Sequence, residues 1–271
     1  MIDLTSPSAR RAELLGAAAL IALVLGFTLW YMATHQAPEP YSPTPETEEV
    51  AESLPPETYE EHGQYFDIEA TYPAETPLKA TAGEDADAAA VALMEDFVDE
   101  TIADFKRQGN FDNLTPEDVQ IMGLSDTRKE SLTLLYEERM GDDTITYVFT
   151  LHVDTLGAHP NTFYRSFTFD RISGKEIAIQ NLFVSGSGYL TRLSAIAEFE
   201  LSKLLGEFAD LDYIRQGVAA EAINFQSYAI EGQDLILIFP PYQVAPYAAG
   251  TQTVAIPLAQ LAEILKPEYR P

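Results

Sequence analysis

From Leu14 to Ala33 the chain reads LLGAAALIALVLGFTLWYMA without a single charge. As a helix, a run of that length rises about 30 Å, the thickness of the hydrocarbon core of a bilayer. It predicts a membrane helix over 14–33, and with it the compartment of everything else. Arg10 and Arg11 precede the run, and the positive-inside bias then sets residues 1–13 in the cytoplasm and the remainder outside, as a single-pass protein of the cell membrane. Trp30 and Tyr31 suit the outer interface. A cleaved signal peptide is the competing reading. Its apolar core is normally about 7 to 15 residues and its cleavage site prefers small side chains, so an uncleaved signal anchor is favoured.

Residues 34–63 change character abruptly. Pro38, Pro40, Pro43, Pro45, Pro55 and Pro56 alternate with glutamates, and few residues there would enter a core. This predicts a disordered, semi-stiff stalk, because proline favours extended backbone and like charges repel; a recognised proline-rich ligand motif is the alternative. The chain has no cysteine, so neither disulfides nor a lipid-modified thiol is available, and the exported part must stand on its apolar core.

After the stalk the periodicities alternate between two kinds. Phe66, Ile68, Ala70 and Tyr72 alternate as a strand; Val91, Met94, Phe97 or Val98, Ile102 and Phe105 then follow helical spacing over Glu84 to Gln108, with Gly109 as its end. Leu132 to Tyr136 and Ile145 to Val153 flank a Gly-Asp-Asp turn and predict a hairpin, and Phe163 to Asp170 continues it, turning at Ser173 to Lys175 into Glu176 to Ile179. A second helix is expected from Tyr189 to Leu205, capped by Ser187 and closed by Gly206, and a last hairpin from Phe225 to Phe239. The expected fold class is α+β: an antiparallel sheet of hairpins packed by two main helices.

Four segments carry a family resemblance: Tyr65 to Pro73 (YFDIEATYP), Leu156 to Asn161 (LGAHPN), Ser166 to Phe183 (SFTFDRISGKEIAIQNLF) and Phe239 to Pro257 (FPPYQVAPYAAGTQTVAIP). In that order they resemble the RsiV-like bacterial extracytoplasmic domain of unknown function, found in the ectodomain of RsiV-type anti-sigma factors and in an accessory region of PdaC-type peptidoglycan deacetylases. The resemblance implies an N-terminal family unit over 64–174 and an RsiV-like C-terminal unit over 175–267, either separate or forming one body. It also implies a binding or sensor role, with lysozyme as the ligand of the anti-sigma ectodomain. An anti-sigma factor needs a cytoplasmic sigma-binding segment, and 1–13 is too short to supply one, so signalling of that kind is not expected.

No catalytic constellation stands out, and the domain is read as non-enzymatic. Ser185 to Gly188 does not form a nucleophile elbow. His152 and Asp154 share one strand face with His159 on the turn nearby, but a further ligand is lacking and no metal or other cofactor is expected. Adjacent carboxylates such as Glu137 with Glu138, or Asp142 with Asp143, read as solvated charges.

The net charge is −27 over 271 residues, and between 38 and 104 Lys79 is the one base. Such a chain suits neither nucleic acid nor other anionic polymers. It suits a cationic, lysozyme-like protein, or the acidity serves solubility alone; peptidoglycan is the other candidate partner. The candidate ligand-binding residues are Tyr242, Tyr247, His159 and Asn161, with packing of the two tyrosines over the sheet as the structural alternative. A peptidoglycan-modifying enzyme or its accessory subunit, and a structural envelope protein, are the alternative functions.

Overall fold

The computed structural model describes residues 55–78 and 82–271. The expected cytoplasmic segment (1–13), the membrane helix (14–33) and most of the acidic linker (34–63) lie outside the described residues. No helix among the described residues is long and apolar enough to cross a membrane.

The fold is mixed α+β with two sheets. Strands β1 (Glu57–His62), β2 (Phe66–Tyr72), β3 (Glu130–Met140), β4 (Thr144–Asp154) and β5 (Asn161–Asp170) form a five-stranded sheet in sequence order. Strands β6 (Tyr228–Glu231), β7 (Asp234–Phe239) and β8 (Gln252–Pro257) form a three-stranded antiparallel sheet. Helix α1 (Glu84–Gly109) and the short α2 (Pro116–Met122) connect β2 to β3. Helices α3 (Tyr189–Leu205) and α4 (Leu211–Gly217) precede the second sheet, and α5 (Leu258–Leu261) follows it.

The expectation of a wholly antiparallel sheet is corrected at β2 and β3, which pair in parallel with Ile68 opposite Leu132 and Ala70 opposite Leu134. A parallel pair needs a long crossover, and α1 supplies it. The linker expected to run to residue 63 is corrected as well, since Glu57–His62 pairs antiparallel with β2. Tyr59 from this strand packs against the core, Glu61 beside it is half-buried and accepts from the Tyr59 hydroxyl and from Lys106 of α1, and Glu57 and Glu60 face water; charged side chains suit an outer strand whose free edge would otherwise invite pairing.

Three local details refine the expectation. Helix α1 has Gly109 as its last residue, as expected, but the left-handed backbone that stops it belongs to the next residue, Asn110, with a φ of 48°. A Cβ on Gly109 would come within 2.2 Å of the Phe111 ring, so that glycine serves close packing instead. Ser187 does not cap α3: Gly188 takes that place with a φ of 70°, and the Ser187 hydroxyl is buried without a hydrogen-bond partner among the described residues. The segment Glu176 to Ile179 meets Phe169 through one bridge and then turns into a single-turn helix over Ile179–Leu182.

Each sheet has its own core. One face of the five-stranded sheet presents Ile68, Leu132, Leu134, Tyr147, Phe149 and Phe167 to Met94, Val98, Ile102 and Phe105 of α1. The second sheet buries Leu235, Leu237, Phe239, Val254 and Ile256 against Leu193, Ala197 and Leu201 of α3. Full burial of each such side chain contributes about 1.5–3 kcal/mol. The two sheets meet edge on face: Tyr228 N donates to Ser166 Oγ at 3.1 Å and Ile230 N to Thr146 Oγ1 at 3.3 Å, so hydroxyls on the five-stranded sheet satisfy the outer edge of β6. Val148 packs there against Ala229 and Ile238.

Candidate functional site

That joint brings the turn between β4 and β5 next to the loop between β7 and β8. The first turn is shaped by Asp154, whose Oδ1 accepts from Leu156 N at 2.8 Å, and Leu156 takes a φ of 61°. In the second loop, Gln243 N donates to Pro240 O at 3.1 Å, closing a four-residue turn with Pro241 and Tyr242 at its centre. Tyr242 has a φ of 71° there, at the position where a proline-led turn of this kind ordinarily carries glycine. Two of the three non-glycine residues with left-handed backbone among the described residues therefore lie on the two loops that meet.

His159 sits between them. Its ring stacks on Tyr247 with centroids 3.7 Å apart and planes 15° from parallel, and Tyr242 lies 5.7 Å from it and 5.6 Å from Tyr247. His159 Nδ1 lies 3.1 Å from Pro160 O, and since a carbonyl can only accept, Nδ1 carries a proton. In the neutral ring Nε2 then accepts from the Tyr242 hydroxyl at 2.9 Å. Tyr242 is 51% exposed, and His159 and Tyr247 are half-buried. Three rings with water on one side offer a platform for an aromatic, sugar or cationic group.

Of the four residues expected at a site, His159, Tyr242 and Tyr247 come together. Asn161 opens β5 opposite Val153; its exposed side chain makes no hydrogen bond among the described residues. His152 and Asp154 do not join His159: His152 Nδ1 is 3.0 Å from Thr162 Oγ1, and Asp154 is engaged with its own turn. Among the described residues no three side chains of metal-ligand type converge.

Sequence reasoning missed the support behind Tyr242. The Tyr213 hydroxyl, from α4, donates to Tyr242 O at 2.9 Å, and Gln243 Nε2 donates to Gly217 O and Asn224 O at 2.9 and 3.0 Å. Gly217 is required there, because a Cβ would meet Gln243 O at 1.9 Å. These partners lie 19 to 29 residues from the loop, beyond the reach of any periodicity.

Among known protein families, residues 180–259 match the model described as a protein of unknown function, DUF3298. The chain is 32% identical over 144 residues to the peptidoglycan-N-acetylmuramic acid deacetylase PdaC of Bacillus subtilis (strain 168), which covers 53% of this chain and 31% of the deacetylase. It is 27% identical over 122 residues to the immunogenic protein MPT64 of Mycobacterium tuberculosis, covering 45% of this chain and 52% of that one. An esterase of Mycobacterium tuberculosis matches at 27% over 114 residues, 42% of this chain and 49% of its own. The chain thus spans about a third of the deacetylase and about half of the mycobacterial relatives. A solved DUF3298 family protein from Pseudomonas aeruginosa PAO1 superposes with a TM-score of 0.53 at 18% identity, covering 80% of this chain and 97% of its own. One from Bacteroides fragilis gives 0.51 at 14%, covering 78% and 92%. Those likenesses are of fold.

Proposed function

Starting from the DUF3298 domain that residues 180–259 carry, we propose that this is a membrane-anchored extracytoplasmic binding or sensor domain of the RsiV-like kind, without catalysis of its own. Its contact surface is the His159, Tyr242 and Tyr247 cluster, and its partner is a cationic, lysozyme-like protein or peptidoglycan. The observation that carries this reading is Tyr242 itself. A large ring at the glycine position of a turn costs roughly 1–3 kcal/mol of backbone strain, and strain of this kind collects where a side chain must be displayed. The anchor over 14–33 sets the compartment, and the net charge of −27 speeds encounter with a cation.

The test is retention of hen lysozyme and of purified peptidoglycan by the full-length chain in detergent micelles, each at two salt concentrations. One of the two is expected to be retained, with Tyr247→Ala or His159→Ala weakening retention about tenfold, as for loss of an aromatic hot spot. Retention of neither would sink the reading.

The relation to the deacetylase favours a second reading, in which the domain is the accessory part of a peptidoglycan-modifying enzyme. Deacetylation or muropeptide release that disappears in a His152, Asp154 and His159 triple alanine variant with its fold intact would favour that reading over binding alone.

A further inference from the structure

Beside Tyr242, between the end of α4 and the β7–β8 loop, lies an open cleft of about 590 Å³ bounded by Tyr213, Gln216, Glu221, Asn224, Tyr242 and Gln243. Its polar groups are unequal in kind. The Gln243 amide nitrogen is held by two backbone carbonyls and the Asn224 amide nitrogen by Ala219 O at 2.9 Å, so each amide has its oxygen left for a ligand. Glu221 adds an exposed carboxylate whose side chain makes no hydrogen bond among the described residues. The Tyr213 hydroxyl is already spent on Tyr242 O. No lysine or arginine lines the cleft, and nearby Arg215 is paired with Glu198 at 2.7 Å and Asp212 at 3.5 Å. The exposed Gln216 amide offers both donors and an acceptor, so the lining combines two tyrosine rings and three amides with a single formal charge, the Glu221 carboxylate.

We infer that this cleft receives a lysine or arginine side chain of a protein partner, its N–H groups donating to Glu221, Asn224 and Gln243 beside the Tyr213 and Tyr242 rings. An organic cation answers the Glu221 carboxylate, which no lysine or arginine of the lining offsets, and an aromatic face attracts it. An anionic group would meet the Glu221 carboxylate with no basic side chain in the lining to offset it. The inference rests on the binding reading above and gives it a specific anchor point.

The test is calorimetric titration of the full-length chain in detergent micelles with a hexa-arginine peptide, with a chitosan hexamer as the alternative source of amino groups. Glu221→Gln is expected to weaken peptide binding about fivefold, the scale of one partly exposed ion pair. Glu100→Gln, which removes the same charge from an exposed position on α1, is expected to leave it unchanged. Equal effects of the two variants would overturn the assignment, because binding would then follow net charge alone. A Glu221 dependence seen only with the chitosan hexamer would overturn it in favour of a glycan amine. Failure of the broader reading is distinguishable: Tyr247→Ala and His159→Ala would then leave lysozyme and peptidoglycan retention unchanged, whatever Glu221→Gln does to the peptide.

Discussion

Tyr242 holds its unfavourable φ because three hydrogen bonds, two between backbone groups and one from a side chain, leave it little choice. Its N–H donates to Ala245 O at 3.1 Å, its carbonyl accepts from Tyr213, and the turn around it is closed by Gln243 N and Pro240 O. If the turn over-determines the backbone, a residue without a Cβ relieves strain and a small residue with one does not. Tyr242→Gly is therefore expected to be more stable than Tyr242→Ala by about 1 kcal/mol, although both lose the same ring and the same bond to His159. Urea unfolding of the two variants side by side measures the difference; equal midpoints would mean that the loop relaxes and stores no strain. The sequence shows Pro-Pro-Tyr-Gln and marks a turn, but the ring's partner is 83 residues away in the other sheet's turn. Hence the tyrosines were legible as candidates, while their joining to His159 depends on how two sheets pack.

At the scale of elements, α1 and α3 were legible because their apolar residues repeat at helical spacing and face one core each. The sense of the β2–β3 pairing was not, since alternation shows which side chains are buried but is blind to strand direction. Strand β1 was hidden by composition, its glutamates and the prolines just before it, Pro55 and Pro56, reading as stalk. The start of β3 departs from the pattern in another way. Glu130 falls on the core-facing parity of Leu132 and Leu134, and only 5% of it is exposed. Burial, and then repulsion from Asp154, hold its carboxyl above the ordinary carboxylate value. A raised carboxylate favours folding in its protonated form, and that contribution is lost as pH rises through the folded-state value. Glu130→Gln, which mimics the protonated form, is accordingly expected to raise Tm at pH 7, with the gain shrinking as pH falls toward 4. Thermal unfolding across that range checks it, and a gain that is flat with pH would point to packing instead of ionisation.

The whole molecule turns on the joint between its two cores. Residues 54–271 form one compact unit, yet the apolar cores of the two sheets are separate clusters, linked by the small cluster of Val148, Ala229 and Ile238 and by a set of polar contacts. Thr146 Oγ1 and Thr168 Oγ1 lie 3.0 Å apart in a buried site, Thr146 and Ser166 accept the outward N–H groups of β6, and Arg139 bridges to Glu231 at 2.9 Å. The salt bridge is half-exposed and contributes little. The hydroxyls matter more, because replacing them leaves two buried N–H groups unpaired at about 1–3 kcal/mol each. This joint also sets the distance between His159 and the tyrosine loop, so it couples stability to the site. In the native protein the amides of Ile68 and Leu237, one from the centre of each core, are expected to exchange with the same free energy of opening, as for a single cooperative unit. In the double variant Thr146→Val with Ser166→Ala, Leu237 is expected to open more easily than Ile68 by more than about 1 kcal/mol. Amides that diverge already in the native protein would mean two independently folding units. The cluster of His159, Tyr242 and Tyr247 would then be held by its own contacts, and its geometry would change whenever the joint opens.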